Sequence, residues 1–166
     1  ASAVGLMCIA LFGCKDPGSR QYAIHLGQAL QLTNILRDVA EDAARDRIYL
    51  PQEALIEFGL SESDILSGRR GTAALWLLRH LAARAREEYA LARAVMPEPD
   101  RRALMPAEIM GSIYFGLLEE IERRGDAVLT QGTRLKLSPR RKIERALHAA
   151  CTTLLPFGAK LFAPVY

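Results

Sequence analysis

Between Arg20 and Arg45 the chain contains no proline and a single glycine, Gly27, and most of its residues are good helix formers. Proline and glycine are the residues that stop helices, so this stretch predicts one helix of about six or seven turns. A helix of that length in a chain of 166 residues has to be central to the fold, and the rest can be placed around it. Asp16, Pro17 and Gly18 form a break ahead of it, Ser19 is a candidate cap, and the stretch from Asp46 to Pro51 ends it. Upstream, Ala1 to Phe12 is apolar with a helical pattern. Downstream, the punctuation predicts a short helix around Gln52–Phe58 and a capped turn from Ser61 with Asp64 three residues on. A long helix over Gly71–Met96 follows, stopped by Pro97 and Pro99, and then another from about Asp100 to Arg124 with a kink at Pro106. Gly125 and Gly132 mark a loop, and Ser138-Pro139 opens a last helix through about Thr153. No strand pattern competes, and no repeat, low-complexity linker or second domain interrupts residues 1–166. The fold class expected is all-α.

Half of the residues are apolar and a quarter are charged, a globular balance far from that of disordered chains. The net charge of +3 is too small to indicate nucleic acid, and the basic residues lack the interleaved aromatics or recognition motif that such a partner needs. Cys8, Cys14 and Cys151 are odd in number and form no CxxC pair, which argues against a disulfide framework or zinc site and for a reducing, cytoplasmic setting. The longest apolar run, Ala1 to Cys14, is shorter than the roughly 20 residues that span a bilayer and has no basic segment before it. Its helix-like pattern begins at the first residue without a cap, so sequence upstream of it is expected.

Within the central helix Gln21, His25, Gln28, Gln31, Asn34, Asp38, Asp42 and Arg45 recur at spacings of three or four, which predicts a polar stripe. A solvent-facing side of an amphipathic helix gives the same periodicity. Two details favour a lined cavity instead: the stripe carries amides and acids rather than Lys and Glu, and Ile24, Leu26, Leu30, Leu32, Ile35, Leu36 and Val39 would bury much of the remaining circumference. Asp38 and Asp42, four residues apart, can offer oxygens to one hard cation, with Asn34 a turn earlier to orient them or add a ligand. Magnesium suits such a pair, because it is commonly held by one or two carboxylates with phosphates and waters completing its shell. Arg37, Arg45 and Arg47 stand around the pair, where a guanidinium fork can take phosphate oxygens or simply pair with Glu41 or Asp46.

The uninterrupted segment QLTNILRDVAEDAARDRIYLPQEAL, Gln31 to Leu55, resembles the second aspartate-rich motif of the squalene and phytoene synthases, including the presqualene diphosphate synthases. That resemblance implies an isoprenoid-synthase-type helical bundle, of which these residues form the C-terminal part, the first aspartate-rich motif lying upstream of them. It implies that Asp38 and Asp42 bind magnesium and the diphosphate of an isoprenoid substrate, that Gln31 and Asn34 line the cavity, and that Arg37, Arg47 and Tyr49 lie near the diphosphate. Val4, Gly5, Leu11, Ala23, Leu26 and Leu30 resemble positions along the prenyl tunnel, although core packing accounts for apolar residues equally well. Tyr114, within IMGSIYFGLLEEIERRG, resembles a cavity tyrosine with a catalytic role. In the basic stretch Arg134, Lys136, Arg140, Arg141, Lys142 and Arg145, the closest matches to phosphate-facing positions are Arg134 and Lys142, with an exposed helix surface as the competing reading. Asp46 stands where many relatives have glycine, which would alter the turn before Arg47 without removing a ligand.

The implied activity is magnesium-dependent, head-to-head condensation of two isoprenoid diphosphates, farnesyl or geranylgeranyl, to a presqualene- or prephytoene-type diphosphate and onward to squalene or phytoene. NADPH enters only if squalene is the product. The apolar tail LLPFGAKLFAPVY is placed either on the domain or against a membrane that holds the lipid substrates. The rival reading is a catalytically inactive helical assembly partner of the same family, against which the intact Asp38 and Asp42 argue. With one acidic pair and no second, these residues alone are expected to be inactive, and Leu26 and Leu30 to be poorly covered.

Overall fold

A computed structural model describes residues 2–130 and 135–154. Among them every regular element is helical and there is no strand. The helices are α1 (Ser2–Leu11), α2 (Gly18–Ala43), α3 (Gln52–Glu57), α4 (Glu62–Leu66), α5 (Thr72–Ala94), α6 (Met105–Arg124) and α7 (Pro139–Leu154), with single 3-10 turns at Glu98–Asp100 and Gly125–Leu129. α2 is the axis: α1, α5 and α6 all pack on it, and α7 packs on α6.

The junction before α2 is closed by a residue far away in sequence. The Asp100 carboxylate, in the turn after α5, accepts the Ser19 hydroxyl at 2.7 Å and the backbone N–H groups of Lys15 and Asp16 at 2.9 and 2.8 Å. Those bonds hold its pKa below the ordinary carboxylate value, the Ser19 hydroxyl contributing most. Ser19 thus ties two connectors together, and it makes no side-chain cap for α2 itself. Ser61 and Asp64 do form the reciprocal cap expected of them at the start of α4.

Pro106 does not kink a helix. Residues 101–104 form turns, α6 starts at Met105, and Pro106 occupies its first turn, where a missing N–H breaks no intrahelical bond.

The core is built from one face of each long helix. Leu36, Leu81, Ala85 and Leu118 are fully buried, and Tyr89 sits edge-on to Phe115 with ring centroids 5.2 Å apart. The Tyr89 hydroxyl lies 3.2 Å from that of Thr33, a buried polar pair inside the α2–α5 seam. α1 is apolar yet buries no residue completely. It crosses α2 so closely that a Cβ at Gly27 would lie 2.8 Å from the Ser2 Cα, so only glycine permits this approach. That crossing covers Leu26 and Leu30, which are buried, contrary to the expectation from sequence.

Candidate functional site

The polar stripe of α2 divides in two. His25 Nδ1 lies 2.8 Å from Glu88 of α5, and Gln28, with its amide oriented to donate, reaches the two Glu88 oxygens at 2.8 and 3.1 Å. Successive steps of 100° per residue carry the later positions around the helix. Gln31 and Asn34 therefore leave the α5 seam and line a cavity of about 640 Å³ between α1, α2 and the start of α6. Its walls are almost wholly apolar: Val4, Gly5, Cys8, Ile9 and Phe12 from α1 and its end, Ala23, Leu26 and Leu30 from α2, and Leu104, Ala107 and Met110 from around α6. Leu11 does not take part; it is 82 % exposed at the end of α1. Asn34 Oδ1 is buried with no hydrogen-bond partner, an unusual state for a buried polar atom.

Tyr114 lines this cavity and also a second one, of about 240 Å³, whose character is different. Arg37, Lys136 and Lys142 bring three cations to its wall, with Ile113, Leu117, Leu135 and Leu137 beside them. Lys136 is exposed between the buried Leu135 and Leu137, which anchor its segment in the core. A mainly apolar chamber thus adjoins a basic one through a single tyrosine. The Arg37 guanidinium carbon lies 5.9 Å from the Tyr114 ring centre.

Arg37 is engaged with its neighbour Asp38: Nε donates to Oδ1 at 2.7 Å and an Nη donates to the other oxygen. The two side chains are only 15 % and 20 % exposed. The Asp38 carboxylate pushes the Arg37 pKa well above its already high usual value, outweighing the opposing effect of burial, and a hydrogen bond with Tyr114 adds to the rise. One turn further on, partial burial raises the Asp42 pKa, and the negative charge of Asp38 adds a smaller rise. Asp42 shares a small hollow with Arg47 and Tyr49 at the end of α2. Arg45 turns away to pair with Glu41 at 2.8 Å. Neither Asp38 nor Asp42 is among the residues lining the two larger cavities; the pair continues α2 beyond Asn34 and meets the basic chamber through Arg37.

The carboxylates fit a hard cation in one respect: like charges held close on one helix, with one pKa raised, are relieved by a bound divalent ion. The donor set is small. Among the described residues no three His, Cys, Asp or Glu side chains gather as a metal cage; a pair of carboxylates suits magnesium, which commonly takes much of its shell from phosphate and water. Arg134 lies outside the described residues, as do positions 155–166 of the apolar tail. No described helix is long and apolar enough to cross a membrane.

The turn carrying Arg47 is set by Asp46, whose φ of 55° is in the left-handed region. Arg47 N–H donates to the Asp42 carbonyl at 2.9 Å and Asp46 N–H to the Ala43 carbonyl at 3.0 Å, a helix-terminating arrangement usually completed by glycine.

Lys136, placed in the basic stretch but behind Arg134 and Lys142, proves to line the basic cavity, and Cys8, Ile9, Phe12, Ala107 and Met110 join the apolar wall without having been singled out in the sequence. The three- and four-residue spacing of Ala107, Met110 and Tyr114 was a usable signal for one shared face.

The described helices form an all-helical bundle in which an apolar cavity adjoins a basic one at Tyr114. This chain belongs to the squalene/phytoene synthase family, whose profile matches residues 1–141. It is 39% identical over 127 residues to the presqualene diphosphate synthase of Rhodopseudomonas palustris, covering 76% of this chain and 46% of the relative. It is 35% identical over 158 residues to the phytoene synthase of Mycobacterium tuberculosis, covering 93% and 51%. With the chloroplastic phytoene synthase 3 of Zea mays the identity is 41% over 129 residues, covering 74% and 30%. The chain therefore spans about half the length of its bacterial relatives.

Proposed function

We propose that these residues form part of a synthase that joins two isoprenoid diphosphates head to head, and that they supply the second aspartate-rich motif of its cavity. The observation that carries this reading is the pair of chambers meeting at Tyr114. A prenyl chain suits the 640 Å³ apolar cavity, and its diphosphate suits the wall of Arg37, Lys136 and Lys142.

In this reading Asp38 and Asp42 hold magnesium together with the diphosphate, and the ion supplies Lewis-acid stabilisation of the leaving group. The chain's own residues do the remainder. Arg37 and Asp38 neutralise one another, so a phosphate oxygen that takes over the Arg37 fork frees the Asp38 carboxylate; diphosphate binding and carboxylate exposure are thereby linked. Lys142 and Lys136 add charge where negative charge develops as the allylic C–O bond breaks, and Arg47 and Tyr49 share a separate hollow with Asp42. Asn34 and Gln31 provide the few polar contacts deep in the cavity, and the walls from α1, α2 and α6 exclude water from the allylic cation while the second substrate's double bond attacks it. Tyr114 sits where chain and head group meet. Pyrophosphate leaves, and a proton is lost as the cyclopropylcarbinyl diphosphate forms. NADPH is needed only where that product is reduced to squalene.

Among the described residues no metal-holding group of three or more His, Cys, Asp or Glu side chains stands beside Asp38 and Asp42. By themselves the 166 residues are expected to bind a diphosphate weakly and not to condense two.

The test is to express the natural protein at full length and supply labelled farnesyl or geranylgeranyl diphosphate, with magnesium and then with EDTA. Magnesium-dependent release of pyrophosphate with a cyclopropyl diphosphate, squalene or phytoene is the expected result. Unaltered substrate under every condition contradicts the reading.

A further inference from the structure

One arginine of α7 that lines neither cavity is buried against α6, whereas a second α7–α6 ion pair, Arg141 with Glu120 at 3.8 Å, lies at the surface. An Nη of Arg145 donates to the Ser112 carbonyl at 3.1 Å, its other Nη pairs with Glu119, and the Ser112 hydroxyl donates back to the Arg145 carbonyl at 3.3 Å. Its guanidinium also lies 5.9 Å from the Phe115 ring centre. The side chain is 13 % exposed, a deep setting for an arginine. The slot that admits it exists because residue 116 is glycine: a Cβ there would lie 2.6 Å from Arg145 Cδ, 2.7 Å from Cζ and closer still to Nε. Since the end of a long side chain yields more readily than a packed helix, a methyl group at 116 would expel the arginine rather than unfold α6.

Lys142 and Tyr114 give this buried contact a chemical consequence. Lys142 precedes Arg145 by three residues on α7 and lines the basic chamber, and Tyr114 lies on α6 between Ser112, whose carbonyl Arg145 bonds, and Gly116, beside which its side chain passes. Three residues along a helix bring two side chains to the same side, so the rotation and height of α7 fixed by Arg145 are also those of Lys142. A guanidinium is required because one rigid fork serves the Ser112 carbonyl and the Glu119 carboxylate together, which a lysine ammonium cannot match in plane.

We infer that Arg145 is a positioning residue: threaded through the Gly116 slot, it sets Lys142 on the wall that Arg37 and Tyr114 share, so that the three act on one diphosphate. The inference rests on the diphosphate reading of that chamber.

The test uses the natural protein at full length, with inorganic pyrophosphate in saturating magnesium as the probe. Affinity is read by calorimetry, and folding by circular dichroism and melting temperature. Lys142→Ala is expected to weaken pyrophosphate by about tenfold, the scale of one lost hydrogen bond to a charged group. Arg145→Ala and Gly116→Ala should each weaken it by a similar factor, and adding Lys142→Ala to either should change affinity little further, because all act through one ammonium. The double variant Gly116→Ala/Arg145→Ala, in which the new methyl enters space the arginine has left, guards against a misfolded single variant and should show the same loss. The inference is overturned if Lys142→Ala weakens binding while the folded slot variants lower only the melting temperature. Absence of pyrophosphate binding by the unaltered protein, or indifference to Lys142→Ala, removes the diphosphate reading and this inference with it.

Discussion

The two halves of the α2 polar stripe use similar residues to opposite ends. His25 and Gln28 give their hydrogen bonds to Glu88 and join α2 to α5. Asn34 and Gln31, one to two turns later, reach the apolar cavity, and a buried oxygen of Asn34 has no protein partner there. A buried polar atom without a partner costs stability, so the second half is poorly designed for folding and well placed for a ligand. Asp38 and Asp42 extend that half: Asp38 raises the Asp42 pKa instead of relieving it. Among the amides of the stripe, what separates the structural half from the functional one is whether the fold itself completes their bonds; Asp38 is already held by Arg37.

The largest effect that sharpens this comparison is expected at Asp42. In the full-length protein Asp42→Asn should cut turnover by more than the roughly 10–100-fold that losing an outer-shell partner of a metal costs. The same substitution should leave the fold as stable or more so at neutral pH. The sign follows from the raised pKa: the folded state binds the proton more tightly than the unfolded one, so ionising Asp42 penalises folding as pH rises through and above the usual carboxylate value. Asparagine cannot ionise, so that penalty vanishes. Thermal melts at pH 7 beside steady-state rates check both halves; a large fall in melting temperature with normal rates would assign Asp42 to the structural class.

A smaller, paired effect is expected across the stripe itself. Glu88→Ala strands His25 and Gln28 and should cost about 1–2 kcal/mol of stability in denaturant titration, with little change in ligand affinity. Asn34→Ala removes an unpartnered group and should leave stability near its starting value while weakening a prenyl diphosphate several-fold, about the worth of one hydrogen bond. The reverse pattern would make Asn34 the structural residue and Glu88 the ligand-binding one.

The smallest effect concerns the turn beyond Asp42. Asp46→Gly relieves a non-glycine residue at a φ of 55° and should stabilise by about 1 kcal/mol or less, with turnover unchanged.

The sequence made the helices legible because their limits are written in single residues: Pro17 and Gly18 before α2, Pro97 and Pro99 after α5, Pro139 opening α7. Pro106 misled because a proline that starts a helix and one that bends it look alike until the preceding turn is seen, and that turn is held by Asp100, whose partners Lys15, Asp16 and Ser19 lie more than eighty residues away. The site divided in the same way. Gln31, Asn34, Arg37, Tyr114 and Lys142 could be named from motif and spacing, and all of them line one chamber or the other. The split of the α2 stripe depends on Glu88, and the slot for Arg145 on Gly116; both are pairings between helices, which spacing within a helix cannot carry. Leu11 failed as a wall residue because periodicity gives a face and not the point where a neighbouring helix stops covering it.

The most direct test of the central claim is to titrate this chain with farnesyl thiodiphosphate, a non-ionising analogue, with and without magnesium, and to follow the Asn34 side-chain amide and the Tyr114 ring by NMR. Binding in the two adjoining chambers predicts that both signals shift together, that magnesium strengthens the interaction, and that Asp38→Asn or Asp42→Asn removes the magnesium effect while leaving the Asn34 shift in place. A magnesium effect that survives both substitutions, or binding that leaves Asn34 and Tyr114 unmoved, would contradict the account.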